Sequence, residues 1–261
     1  MKSNHPFHLV DYSPWPLLTS LSTFTVMSGM IMWFSKKSLA ISTLGTITMV
    51  MIMNQWWRDV TRESTMQGMH TNKVLKSMKM GMMLFIMSEI LFFMSFFWAF
   101  FHSSLSPSID VGMKWPPLGI KPFNPMNIPM LNTMILLASG ISITWAHNSI
   151  LNKNLTQTIQ SMAITIMLGI YFSIIQMIEY WEAPFTIADS VFGSTFFMST
   201  GFHGIHVLVG TIFILISMIR ISQLHMSKMH HFGFEAAAWY WHFVDVVWLF
   251  LYISIYWWGG V

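Results

Sequence analysis

The chain has no cysteine. Disulfides, zinc–thiolate sites, iron–sulfur clusters and thiolate copper sites are therefore excluded. Charge is nearly as scarce: Asp, Glu, Lys and Arg supply 9% of 261 residues, against roughly 25% in soluble domains. With 54% hydrophobic residues, this composition belongs to an integral membrane protein, and counting soluble domains by length does not apply. Strand-like alternation, internal repeats and low-complexity tracts are missing. So are Ser/His/Asp triads, phosphate-cradling Gly loops and HExxH zinc motifs. The net charge of +3 forms no basic stripe of the kind that binds nucleic acid. The N-terminus lacks both a secretory h-region with a cleavage site and an Arg-rich amphipathic transit pattern. Insertion without loss of a presequence is the expectation.

What is present is long apolar runs. Seven stand out, at 16–34, 39–57, 80–101, 128–150, 158–180, 191–219 and 234–258. Each can cross ~30 Å of hydrocarbon. Helices satisfy their own backbone there, so the expected fold is all-α with seven transmembrane helices in a single membrane domain, 1–261. Trp15, Trp33, Trp56, Trp57, Trp181, Trp257 and Trp258 stand at run ends, as an aromatic belt requires. The longest loop, 102–127, holds five prolines, Pro107, Pro116, Pro117, Pro122 and Pro125. It reads as extended and turn-rich. The 26 Met residues mostly replace Leu or Ile, which fits biased codon use better than a Met-rich binding surface.

Lys and Arg set the orientation. Lys2, Arg58, Arg62, Lys73, Lys76, Lys79, Lys153, Arg220 and Lys228 fall on the N-terminal side, and Lys36, Lys37, Lys114 and Lys121 on the other. The N-terminus is expected inside and, after seven crossings, the C-terminus outside. Asp110, Glu182 and Asp189 then give the outer face a mildly acidic character.

Glu89 lies at the centre of the third run. A charge there costs roughly 2.5–3.5 kcal/mol on insertion scales. Its same-face neighbours at helical spacing, Phe85, Ile86, Phe92 and Phe93, cannot satisfy it. Its partner must be another helix, a water or a lipid, or the acid must stay protonated. Such a residue reads as functional by default, and the plainer alternative is a neutral acid hydrogen-bonded between helices.

Other constellations admit two readings each. Glu235, His242 and Asp245 share one stripe of the last helix, as a proton relay or, more plainly, as interhelical glue. His203 and His206, one turn apart, could hold a metal or haem with His242. Gly201, Gly204 and Gly210 beside them also mark a close packing face. Trp56, Trp57, Arg58 and Arg62, with His70 further on and Arg220 ending the sixth run, suit lipid phosphate or ordinary inside anchoring. His230 and His231 precede the last helix and read as a surface cap or packing pair rather than metal ligands.

At these residues the chain resembles a known family. They are Trp56, Trp57, Arg58 and Asp59; Ser88 and Glu89 with Phe96 to Phe100 and His102, Ser103, Ser104; and Trp115, Pro116, Pro117. Gly201 to His206 and His231 to Leu249 complete the set. Together they are similar to the cytochrome c oxidase subunit 3 family of mitochondrial type, essentially end to end. The Met richness fits an animal mitochondrial code that reads an extra codon as Met. The resemblance implies seven helices, the first two splayed from a five-helix bundle around a phospholipid cleft. It implies a mitochondrial inner-membrane location, with the N-terminus in the matrix and the C-terminus toward the intermembrane space. It also implies a non-redox role in oxygen reduction and proton pumping. Haem and copper would sit in partner subunits, with subunit 1 the main contact. No metal or cofactor is expected in this chain beyond bound phospholipid. By resemblance, Trp57, Arg62, Glu63, His70 and Arg220 match lipid head-group positions, and Glu89 matches an intramembrane acid reactive toward carbodiimides. The run Ala236, Ala237, Ala238 departs from the pattern, where a Gly is expected. A proton-coupled secondary transporter using Glu89 and Asp245 is the alternative, and it requires inverted repeats.

Overall fold

The computed structural model describes residues 5–109 and 112–260. Lys2 and Asp110, used above in reading the charges, lie outside the described residues. Seven helices follow in order: α1 Trp15–Lys36, α2 Ala40–Thr65, α3 Asn72–Leu105, α4 Ile128–Leu151, α5 Leu155–Glu182, α6 Val191–Ser222 and α7 Phe232–Leu251. A π turn, Tyr252–Trp257, and a 3-10 turn, Trp258–Gly260, extend α7. Among the described residues there is no strand.

The helices outrun the apolar runs that announced them. With 34 residues, α3 is ~51 Å long at 1.5 Å per residue, well beyond the hydrocarbon. Its ends carry Lys73, Lys76 and Lys79 on one side and His102, Ser103 and Ser104 on the other. Apolarity marks only the embedded part of a helix, while its hydrogen bonds continue into the polar zone. For a related reason α2 is not among the six helices apolar enough by composition to cross a membrane. Asn54, Gln55, Arg58, Asp59, Arg62 and Glu63 occupy its second half.

The chain divides into two compact units, Met1–Met78 and Lys79–Val261. In the first, α1 and α2 form a hairpin packed at two glycines. A Cβ on Gly29 would collide with the backbone of Ser42, and one on Gly45 would lie 2.8 Å from Val26 N. Trp15 on α1 donates from Nε1 to Asp59 Oδ2 on α2 at 2.8 Å.

In the second unit α7 is the most enclosed span and α3 presents most of its surface outward. Trp241 and Trp248 of α7 are fully buried among Phe93, Phe172 and Leu136. A buried indole N–H needs an acceptor, and both find hydroxyls on α4: Ser139 Oγ at 2.9 Å and Thr133 Oγ1 at 3.0 Å. Ser142 and Thr165 join α4 to α5 at 2.7 Å, and Asn132 Nδ2 donates to Gln176 Oε1 at 3.2 Å. Small residues and such bonds are the usual means of joining helices where lipid removes the hydrophobic incentive. The glycine face expected on α6 is only partly used. Gly210 receives Trp241, whereas Gly201 and Gly204 meet no atom within 4 Å of a would-be Cβ. The three alanines 236–238 are all buried.

Candidate functional site

The partner of Glu89 is His206. Glu89 projects from α3 and His206 from α6, and Oε2 stands 2.9 Å from Nε2. Side-chain exposure is 22% for the acid and 12% for the base, so the contact is largely shielded. His206 stacks on Tyr240, with centroids 6.2 Å apart at 19°, and meets Phe93 edge-on at 5.0 Å.

The second ring nitrogen fixes the proton count. His206 Nδ1 lies 2.7 Å from the carbonyl oxygen of Phe202. A carbonyl only accepts, so Nδ1 carries hydrogen and donates. Nε2 of a neutral ring then has a lone pair, which cannot donate to a carboxylate. One further proton must lie between Nε2 and Oε2, on the acid or on the ring. Either way the pair is neutral as a unit, the form that a low-dielectric site tolerates.

His203, one turn away, faces elsewhere. Its Nε2 donates to Val244 O at 3.2 Å, and its ring packs on Phe172 and Trp248 at 5.6 and 5.1 Å. The two histidines thus serve different neighbours, and each Nε2 is held by a protein atom. The stripe on α7 also divides. Asp245, 7% exposed, sits beside Gly140, with Oδ2 3.9 Å from His242 Nδ1. Glu235 turns to Lys79 Nζ at 2.7 Å and His231 Nε2 at 3.5 Å. His203, His206, Glu235, His242 and Asp245 therefore make separate local contacts rather than one connected seam.

The residues matched to lipid positions are placed as follows. In the first unit Glu63 pairs with His8 at 3.1 Å, and His70 meets the His8 ring edge-on at 6.2 Å. Arg62 lies 4.0 Å from Asp59, and Trp57 is 53% exposed. The indole bond from Trp15, then the neighbouring Arg58 guanidinium, hold the Asp59 carboxyl below its ordinary range. Arg220 belongs to the second unit, against Gly233, with its Nε buried and lacking a hydrogen-bond acceptor. Beyond the spans, burial and then the Arg220 charge lower the pKa of His230.

One buried acid escaped the sequence reading. Glu179 is wholly buried on α5, accepting from Tyr256 Oη at 2.6 Å and from Gln176 Nε2 at 3.4 Å. It stands at the edge of its apolar run beside Tyr180 and Trp181, where an acid reads as interfacial. Only the approach of the π turn reveals its donor.

These features define a polytopic α-helical membrane protein with a shielded acid–base pair at the centre of its third and sixth helices. The cytochrome c oxidase subunit III family model matches residues 5–260. Cytochrome c oxidase subunit 3 of Aedes aegypti is 63% identical over 258 residues, 99% of this chain and 98% of the relative. That of Drosophila melanogaster gives the same figures. The sea star Pisaster ochraceus counterpart is 57% identical over 260 residues, the full length of both. The chain belongs to the cytochrome c oxidase subunit III family. Membership displaces the transporter alternative.

Proposed function

We propose that the chain works in cytochrome c oxidase of the mitochondrial inner membrane as a subunit without a redox centre of its own. It braces the catalytic subunit, subunit 1, holds phospholipid and keeps proton uptake fast while oxygen is reduced and protons are pumped. Haem and copper belong to partner subunits. The N-terminus faces the matrix and the C-terminus the intermembrane space, the side with fewer Lys and Arg.

The observation that carries this reading is the engagement of the intramembrane histidines. A haem held between helices needs open imidazole nitrogens. His206 has both nitrogens in hydrogen bonds; His203 gives Nε2 to Val244, and its remaining Nδ1 is enclosed in a residue only 1% exposed, packed against Phe172 and Trp248. Phospholipid binding is supported by an apolar groove of about 550 Å³ in the first unit, lined by Thr19, Thr23, Phe24, Met27 and Trp56 among others. Trp57, Arg58 and Arg62 lie along the same helix toward its polar end. That order suits an acyl chain below and a phosphate above.

The test is selective removal of this subunit from the purified complex. Haem and copper spectra should be unchanged, while turnover becomes limited by proton uptake. Loss of a haem band with the subunit would overturn the non-redox reading. Arg62→Ala should reduce co-purified phospholipid, measured by mass spectrometry of the extract.

A further inference from the structure

At one end of the second unit α4, α7 and the start of its α3 segment bring together His147, His231, Glu235 and Lys79. One ligand atom from each of His147, His231 and Glu235 lies within 4.8 Å of the other two. Two imidazoles and a carboxylate are a common donor set for zinc and its neighbours in the first transition row.

Three features mark this as more than a crowd of polar groups. His231 Nδ1 is 3.1 Å from Ser227 O, so Nδ1 bears the hydrogen and Nε2 of the neutral ring presents a lone pair. Such an outer hydrogen bond is what orients an imidazole for a metal. The lone pair has no use at present. His231 Nε2 is buried without a hydrogen-bond partner, and Glu235 Oε1 lies 3.5 Å away, too far for a good bond. That separation is close to the ~3.4 Å edge of a tetrahedron with ~2.1 Å metal–ligand bonds. His147 completes the third corner, its ring 5.5 Å from that of His231 at 57°.

A cation already sits beside the site. Lys79 Nζ is 2.7 Å from Glu235 Oε2. The lysine side chain is 41% exposed, so its flexible stem can carry the ammonium out to solvent. A divalent ion would supply the positive charge in its place and use the idle His231 nitrogen. We propose that His147, His231 and Glu235 form a binding site for a Zn²⁺-like divalent transition metal, with Lys79 as a competing internal cation. This departs from the sequence-based expectation that the chain binds no metal.

The experiment uses the full chain in detergent micelles, freed of metal with a chelator and titrated with Co²⁺. Binding should give the intense visible d–d absorption of a low-coordinate site, abolished by Zn²⁺. His147→Ala, His231→Ala and Glu235→Gln should each weaken Co²⁺ binding at least about tenfold, and Lys79→Met should strengthen it several-fold. Affinities unchanged in all three ligand variants would overturn the proposal, as would absence of the band in the parent chain. Glu235→Gln preserves side-chain shape, and far-UV circular dichroism checks its fold. Should a variant unfold, the parent chain still decides.

Discussion

Replacing His206 by Leu removes the polar group that faces Glu89. Two limits bracket the cost. Leaving a buried charge without its partner costs about 3–5 kcal/mol. Interhelical hydrogen bonds in a membrane protein average only ~0.6 kcal/mol, with a maximum near 1.7. The pair stands at 2.9 Å with 12% and 22% side-chain exposure, so the orphaned acid keeps a partly open face. The lower regime therefore governs, giving about 1–2 kcal/mol, a factor of roughly 5–30 in the unfolding equilibrium. Glu89→Gln should behave differently. Its amide can donate to the lone pair on His206 Nε2, so the loss should stay below about 0.5 kcal/mol, whereas Glu89→Leu should approach the His206→Leu value. Denaturant unfolding in micelles, followed by tryptophan fluorescence, measures each variant. The Glu89→Leu, His206→Leu double variant closes a cycle. A coupling near zero would mean that the 2.9 Å contact carries no free energy. Gln as damaging as Leu would refute the proton count inferred from the Phe202 bond.

Gly45→Val should force α1 from α2 by overpacking at Val26, costing about 1–3 kcal/mol, read as faster proteolysis after Lys36 and Lys37; an unchanged rate contradicts the close crossing. Tyr256→Phe removes the 2.6 Å donor to Glu179 and should lower stability by about 1–3 kcal/mol, measured as a drop in the denaturation midpoint. The indole of Trp15 lowers the Asp59 pKa in the folded state. The folded protein therefore binds fewer protons there than the unfolded chain does. The associated stability is full above the ordinary aspartate value of 3.8 and fades as pH falls through the lower folded value. Trp15→Phe should flatten the pH dependence of α1–α2 stability below about pH 4, followed by circular dichroism.

The seven helices were legible because apolar length is a one-dimensional property. Ile128 and Val191 start their helices where the apolar runs start. The overrun of α3 to Asn72 was not legible, since lysines at an interface are as helical as leucines. Glu89 was recognisable from its setting alone. Its partner was not, because pairing between helices depends on rotation and depth, although Glu89 and His206 both lie near the middle of their runs. His203 and His206 looked like a set at i, i+3. The phase difference between those positions aims one at α7 and the other at α3. Glu235 on the α7 stripe likewise turned to Lys79, which sequence distance had kept apart, and to His231 one turn before it.

The π turn at Tyr252–Trp257 has a bearing on protein engineering. A turn closed one residue wider delays the helix phase by about 100° relative to an unbroken α-helix. Ser254, Ile255 and Tyr256 are consequently all buried in succession, and the Tyr256 hydroxyl lands on Glu179. Excising one residue from this turn would restore regular winding and swing the phenol away from the acid. For any chimera spliced across this helix, the safe junction lies before Leu251, because downstream segments must be exchanged with their extra residue intact.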